Sequence, residues 1–410
     1  MKRILVVLVL AFLTVSLFGT EKVVHWMHHS PARAEIISNM AEEFMAENPE
    51  IEIEIQTIPY SEYKTKLLAA IAAGSGPDVA QIPANAMVEF YNYGLIQPFP
   101  AEILSADYMQ DKCVPSVIEK LVIEDELYGL PTDVQTIVLF YNPVLFEQAG
   151  LDPDRPPKDW NELIEYAKKL TIWEDDKMVQ CGLGIGGYDP VMESFMREAG
   201  ATFWKNEKEI KYEDAQLEGL KFFTDAIKVH KVYTPKFGSR WTGFRQVKEA
   251  MVFGHGAMVG SFRVGGREDL VFKTAPVPVH PETGDRTTVL TSWALVIMNE
   301  CEENEAAAKW LKFVSSPESQ KFWFKSTGEL PSFKSVIEDE EFKDNELLLT
   351  ILESLNYSVP AFSKGWANPA AMFRSIGYNE IVKKDMDPKE AVEKTIKEIN
   401  IYLDETFSQF

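Results

Sequence analysis

The amino-acid sequence predicts an α/β protein in which strands alternate with helices to form βαβ units on a parallel sheet. Two features carry this expectation. Short apolar or alternating runs are each followed by a stretch with apolar residues at helical spacing, and glycine or proline punctuates the joints. The length of 410 residues makes room for two or three domains. No Gly/Ser-rich tract joins them, so the connections are short and suit a hinge more than a tether.

The elements follow in order. Lys22 to Met27 is an apolar run fit for a buried strand, and Ala34 to Asn48 then sets Ile36, Ile37, Met40, Phe44 and Met45 on one helical face. Pro49 stops that helix. Ile51, Ile53 and Ile55 alternate with Glu52, Glu54 and Gln56 at period two, the mark of a half-buried strand. A helix over Ser61 to Ala73 ends at Gly74 and Gly76, and the next strand begins at Pro77–Gln81. Ile137 to Tyr141 reads as another strand. Asp159 with Glu162 resembles a capping box for a helix burying Trp160, Leu163, Ile164, Ala167 and Leu170. Asp387, Pro388 and Glu390 open a last helix with Val392, Ile396, Ile399 and Leu403 inward.

Composition narrows the function. Lys and Arg number 41 against 63 Asp and Glu, a formal net charge of −22, which argues against nucleic acid because phosphate contacts need a basic footprint. A hydrophobic share of 46% and a charged share of 25% are those of a globular chain. Cys113, Cys181 and Cys301 allow one bridge and require none, and they lack CxxC spacing. Lys2 and Arg3 precede an apolar run from Ile4 to Phe18, which reads as a signal peptide cleaved near residue 20. The run is shorter than the roughly 20 residues that span a bilayer.

Gly182, Gly184 and Gly187 satisfy GxGxxG but lack the N-terminal βαβ context of a dinucleotide site, so they predict a loop whose backbone approaches something closely. His25, His28 and His29 cluster at a strand end without the further ligands of a zinc site. There is no GxSxG, HExxH or Walker A segment. Among the acids only Asp78, Asp133 and Asp189 merit a hearing as a glycosidase pair. Trp26, Trp204, Trp241, Trp293 and Trp366 lie outside the clearest helical patterns and suit the apolar faces of sugar rings, whereas Trp160, Trp310 and Trp323 fall in amphipathic helices and belong to the core.

Five segments carry a resemblance: GSGPDVAQIP (Gly74 to Pro83), YGLPTDVQTIVLFYNPVLFEQAG (Tyr128 to Gly150), PKDWNELIEYAKKL (Pro157 to Leu170), GHGAMVGSF (Gly254 to Phe262), and TSWALVI with AAAKWLKFVSSPESQ (within Thr291 to Gln320). In this order and behind a signal peptide, they resemble the extracellular sugar-binding proteins of ABC importers, of the maltose-binding-protein-like class. The resemblance implies a two-lobed periplasmic binding protein fold with three interlobe crossovers, expected near Leu130–Val134, Phe262–Leu270 and Thr327–Ser332. The implied division is 1–20 as signal peptide, 21–131 plus 270–328 as the first lobe and 132–269 plus 329–410 as the second. Carried over by position, it implies a cleft lined by His28, His29, Gln81, Asn85, Asp133, Gln135, Tyr188, Trp241, Phe262, Arg263, Trp293 and Trp366. Phe262 stands where the family often has tryptophan, and Arg263 beside it would pair bidentately with a carboxylate. The implied function is capture of a mono- or oligosaccharide outside the cytoplasm and delivery to a separate ABC permease by a monomer needing no cofactor or metal. An acidic sugar is the runner-up ligand, and a secreted glycoside hydrolase the rival class.

Overall fold

The computed structural model describes residues 20–186, 189–206, 208–362 and 369–407. Strand β1 (Glu21–His28) leads into helix α1 (Pro31–Glu47), then β2 (Ile51–Ile58), α2 (Tyr60–Ala72) and β3 (Val79–Pro83). Both β2 and β3 pair with β1 in parallel, with Glu21 opposite Ile51 and His25 opposite Val79. The period-two run of isoleucines puts Ile51 and Ile53 inward on β2, while Ile36, Ile37, Met40 and Phe44 of α1 cover the sheet. Each such side chain contributes about 1.5 to 3 kcal/mol on leaving water.

Strand β4 (Leu130–Gln135) belongs to the first lobe's sheet, and β5 (Ile137–Tyr141) begins the second lobe one residue later. The intervening Thr136 is fully buried and hydrogen-bonds Ser354. Helix α3 (Trp160–Leu170) starts as the sequence predicts, Asp159 Oδ1 accepting the Glu162 N–H at 2.9 Å. The box is not reciprocal: the Glu162 carboxylate accepts instead from the Lys158 N–H and Arg155. Helix α4 (Asp189–Glu198), helix α5 (Arg240–Arg245), strand β6 (Met251–His255), helix α6 (Met258–Gly265) and strand β7 (Lys273–Ala275) follow, with β6 and β7 flanking β5 antiparallel. Strand β5 lies between two cores. Ile137, Leu139 and Tyr141 face one, and Val138 and Phe140 face the other, as pleat alternation requires.

The long strand β8 (Thr288–Met298) ties the lobes together. Its first residues run parallel to β9 (Ser358–Pro360), and Val289 N–H donates to Ser194 of α4. Its later residues pair antiparallel with β3 and β4, placing Trp293 opposite both Pro83 and Asp133. Helix α7 (Asn304–Val314) and helix α8 (Pro317–Thr327) complete the first lobe; α8 is capped by Gly328 in the left-handed region at φ +78°. The helix predicted near the C-terminus is α9 (Pro388–Phe407), with Val392, Ile396, Ile399 and Leu403 buried.

The chain thus crosses at Thr136, at Thr287–Leu290 and beside Leu330, which exchanges backbone hydrogen bonds with Val134 at 3.2 and 3.4 Å. Thr136 comes two residues after the expected Leu130–Val134, and Leu330 falls inside Thr327–Ser332. The second comes later than Phe262–Leu270, because Ala275 and Val277 are buried in the second core and Thr287 N–H donates to Glu198 of α4. All three cysteines are buried and free.

Candidate functional site

The carboxyl ends of β1 and β3, where ligands gather in open α/β sheets, bring His28 and Gln81 together. His28 is 8% exposed, and its ring lies 4.6 Å from Trp293 and 5.7 Å from Tyr60, which stands at 6.2 Å from Trp293. Gln81 Oε1 accepts the His28 N–H at 3.4 Å, and its Nε2 donates to Thr132 Oγ1 at 3.2 Å. Tyr63 anchors both strands, its hydroxyl donating to the Trp26 carbonyl and accepting the Gln81 N–H, each at 3.0 Å. The result is an aromatic and amide face fixed by strand ends.

An ion pair supports it from behind. Arg33 Nε donates to Glu329 Oε1 at 2.5 Å, with the two side chains 4% and 1% exposed, and Glu329 Oε2 accepts the Trp323 indole N–H. Arg33 Nη1 in turn donates to His28 Nε2, so the imidazole carries its proton on Nδ1. Burial, with Arg33 adding to it, holds His28 well below the ordinary histidine value. Its Nδ1 is buried and has no hydrogen-bond partner among the described residues.

On the second lobe Trp241 lies beside His255, their ring centroids 6.3 Å apart. Trp241 of α5 is half-buried, with the Arg240 guanidinium over its ring at 4.2 Å, and Arg240 Nη1 donates to the Gly186 carbonyl at 2.9 Å. The glycine loop fulfils its sequence reading: a Cβ on Gly182 would fall 2.0 Å from the Ala167 carbonyl oxygen, and one on Gly186 would fall 2.2 Å from the Tyr233 hydroxyl. His255, at the end of β6, feels Arg33 of the first lobe and Arg240 of the second; burial and these cations lower it to about 3. The lobes meet closely here, since a Cβ on Gly256 would lie 2.0 Å from the Gly328 carbonyl oxygen.

Residues 30–321 match the family of bacterial extracellular solute-binding proteins. The chain belongs to that family. Among curated relatives, a maltotriose-binding protein of Pyrococcus abyssi is 25% identical over 91% of this chain and 79% of its own length. An arabinooligosaccharide-binding protein of Halalkalibacterium halodurans is 24% identical over 84% and 81%. Two solved structures share the fold: a solute-binding protein from Thermotoga lettingae bound with α-D-tagatose (TM-score 0.81, 22% identity, 93% of this chain and 100% of that one) and a Listeria monocytogenes substrate-binding protein in complex with cycloalternan (0.82, 20%, 94% and 99%).

In this solute-binding protein the residues named from sequence divide into groups. His28, Gln81 and Trp293 come together on the first lobe, with Asn85 half-buried on the turn after β3, the Asp133 backbone opposite Trp293, and Gln135 opposite Thr291. Trp241 stands on the second. His29 is exposed beside Thr57, its Nδ1 3.0 Å from the hydroxyl. Tyr188, Trp366 and the side chains of Asp133 and Asp189 lie outside the described residues. Two placements differ from expectation. Phe262 is 1% exposed in an aromatic cluster with Phe244, Phe140 and Phe272 at 4.8 to 5.6 Å, so it packs α6 instead of offering a free face. Arg263, one residue on and so about 100° further round α6, is exposed and reaches the Lys325 carbonyl at 3.5 Å. Sequence reasoning missed Arg33, Tyr60, His255 and Glu329. Of these only Tyr60, next to Pro59 at a strand-to-helix joint, carried a local signal.

Proposed function

We propose that this chain is an extracytoplasmic receptor that closes two lobes around a neutral mono- or oligosaccharide and delivers it to a separate ABC permease. The observation that carries the reading is the His28–Trp293–Tyr60 face with Gln81, with Trp241 beside His255 on the other lobe. Aromatic rings suit the C–H faces of sugars, and a buried imidazole N–H with a fixed amide suits their hydroxyls. The sugar-binding relatives support it. Arg263 was the argument for an acidic sugar, and its bond to Lys325 on an exposed surface favours the neutral one. Tyr188, Trp366, Asp133, Asn85 and Gln135 are proposed to complete the cleft. The ligand drives closure only through its greater affinity for the closed form. The role is binding without bond cleavage, by a monomer released outside the cytoplasm after loss of its signal peptide; no helix among the described residues is long and apolar enough to cross a membrane. Incubation with oligosaccharides tests this against a hydrolase: recovery of intact sugar is expected, and cleavage products would overturn it.

A further inference from the structure

Glu249 stands two residues before β6 and is fully buried, its backbone bridged to Cys181 of the glycine loop. Its carboxyl occupies space left by two glycines on opposite sides. A Cβ on Gly184 of the loop would fall 2.2 Å from Oε2, and one on Gly243 of α5 would fall 2.6 Å from Oε1. Neither carboxyl oxygen has a hydrogen-bond partner among the described residues. A buried polar group without a partner is costly and calls for an explanation. Here it stands where two ligand-facing segments meet, the loop leading to Tyr188 and the helix bearing Trp241.

We propose that Glu249, in its neutral form, is a positioning residue that sets the loop 181–186 against the Trp241 helix, and that ionising it breaks this register and weakens saccharide binding. The inference rests on Trp241 and the glycine loop belonging to the saccharide site. The groups facing the carboxyl are Arg240, Tyr233 and Cys181. Burial raises Glu249 to about 9, with Arg240 opposing, so the carboxyl is neutral at physiological pH. Once ionised in this dry position it draws on Arg240, the cation within reach, which now donates to Gly186 and covers the Trp241 ring. Tyr233, raised to about 12, and Cys181, raised well above its ordinary value by burial, stay neutral through that step.

The test titrates maltotriose from pH 7 to 10 against wild type and Glu249→Gln, with hydrogen exchange of peptides spanning 181–186 and 240–245 at each pH. Glu249→Gln should match wild type at pH 7 and stay flat, whereas wild type loses about tenfold in affinity one pH unit above its transition. Once corrected for the base-catalysed rise of intrinsic exchange with pH, protection of both peptides should fall in wild type alone. Identical pH profiles, or loss of binding by a folded Glu249→Gln at pH 7, would overturn the proposal. Gly184→Ala should weaken binding and Gly184→Ala/Glu249→Ala should recover part of it; additive losses would also count against it. Exchange does not need the sugar, so failure of maltotriose to bind strikes only that choice of sugar, while the exchange comparison still decides the role of Glu249.

Discussion

Replacing Glu329 by alanine removes the acceptor of two buried donors at once, the Arg33 guanidinium and the Trp323 indole. The pair is 4% and 1% exposed, so screening by solvent is slight, and breaking such a pair from one side costs about 3 to 5 kcal/mol. For a cooperative unit the size of a lobe, each kcal/mol lowers Tm by roughly 2 to 4 °C, which gives a fall of about 6 to 20 °C. The loss reaches the site, because Arg33 also fixes His28 against Trp293. Differential scanning calorimetry at pH 7 measures the first effect and sugar titration the second. Arg33→Met/Glu329→Met, which removes both charges and keeps the volume, should recover most of the stability but not the affinity. A Glu329→Ala Tm within 2 °C of wild type, with unchanged binding, would refute the reasoning.

Further outcomes follow from the same geometry. Trp293→Ala should weaken saccharide binding by about 1 to 3 kcal/mol, measured by calorimetry, while leaving secondary structure intact. Gly256→Ala pushes a methyl against the Gly328 carbonyl and should lower Tm, read by thermal scanning. His255 is depressed to about 3, so its contribution to stability is present above about pH 6.5 and is lost as pH falls below that. His255→Gln should accordingly lose about 2 kcal/mol less than wild type between pH 7 and 5 in denaturant titrations. Glu249 has the opposite sign: its folded value is raised, so its contribution is present below about pH 4.5 and is lost as pH rises toward 9. Glu249→Gln should therefore be more stable than wild type at pH 8.

Much of the fold was legible because local pattern and tertiary burial agree. The isoleucine alternation of β2, the stripe on α1 and the cap at Asp159 each express one periodicity or one hydrogen bond. The second crossover was not legible, since β7 and the stretch after it carry no pattern that tells one lobe's core from the other's. At the site, His28, Gln81 and Trp293, named through the family resemblance, come together at the strand ends. Arg33 and Glu329 were not, because 296 positions separate them and neither has a local signature. Glu249 carries no local signal, because the vacant Cβ positions of Gly184 and Gly243 that receive its carboxyl appear in three dimensions alone. Phe262 was misassigned because an aromatic residue near a cleft packs a core as readily as it meets a ligand.

Calorimetric titration of the mature chain with a panel of neutral and uronic oligosaccharides tests the receptor reading most directly. Saturable binding of a neutral saccharide, one per chain, with the sugar recovered intact, is the predicted result. Absence of binding to every neutral saccharide in the panel, or binding confined to uronates, would contradict it.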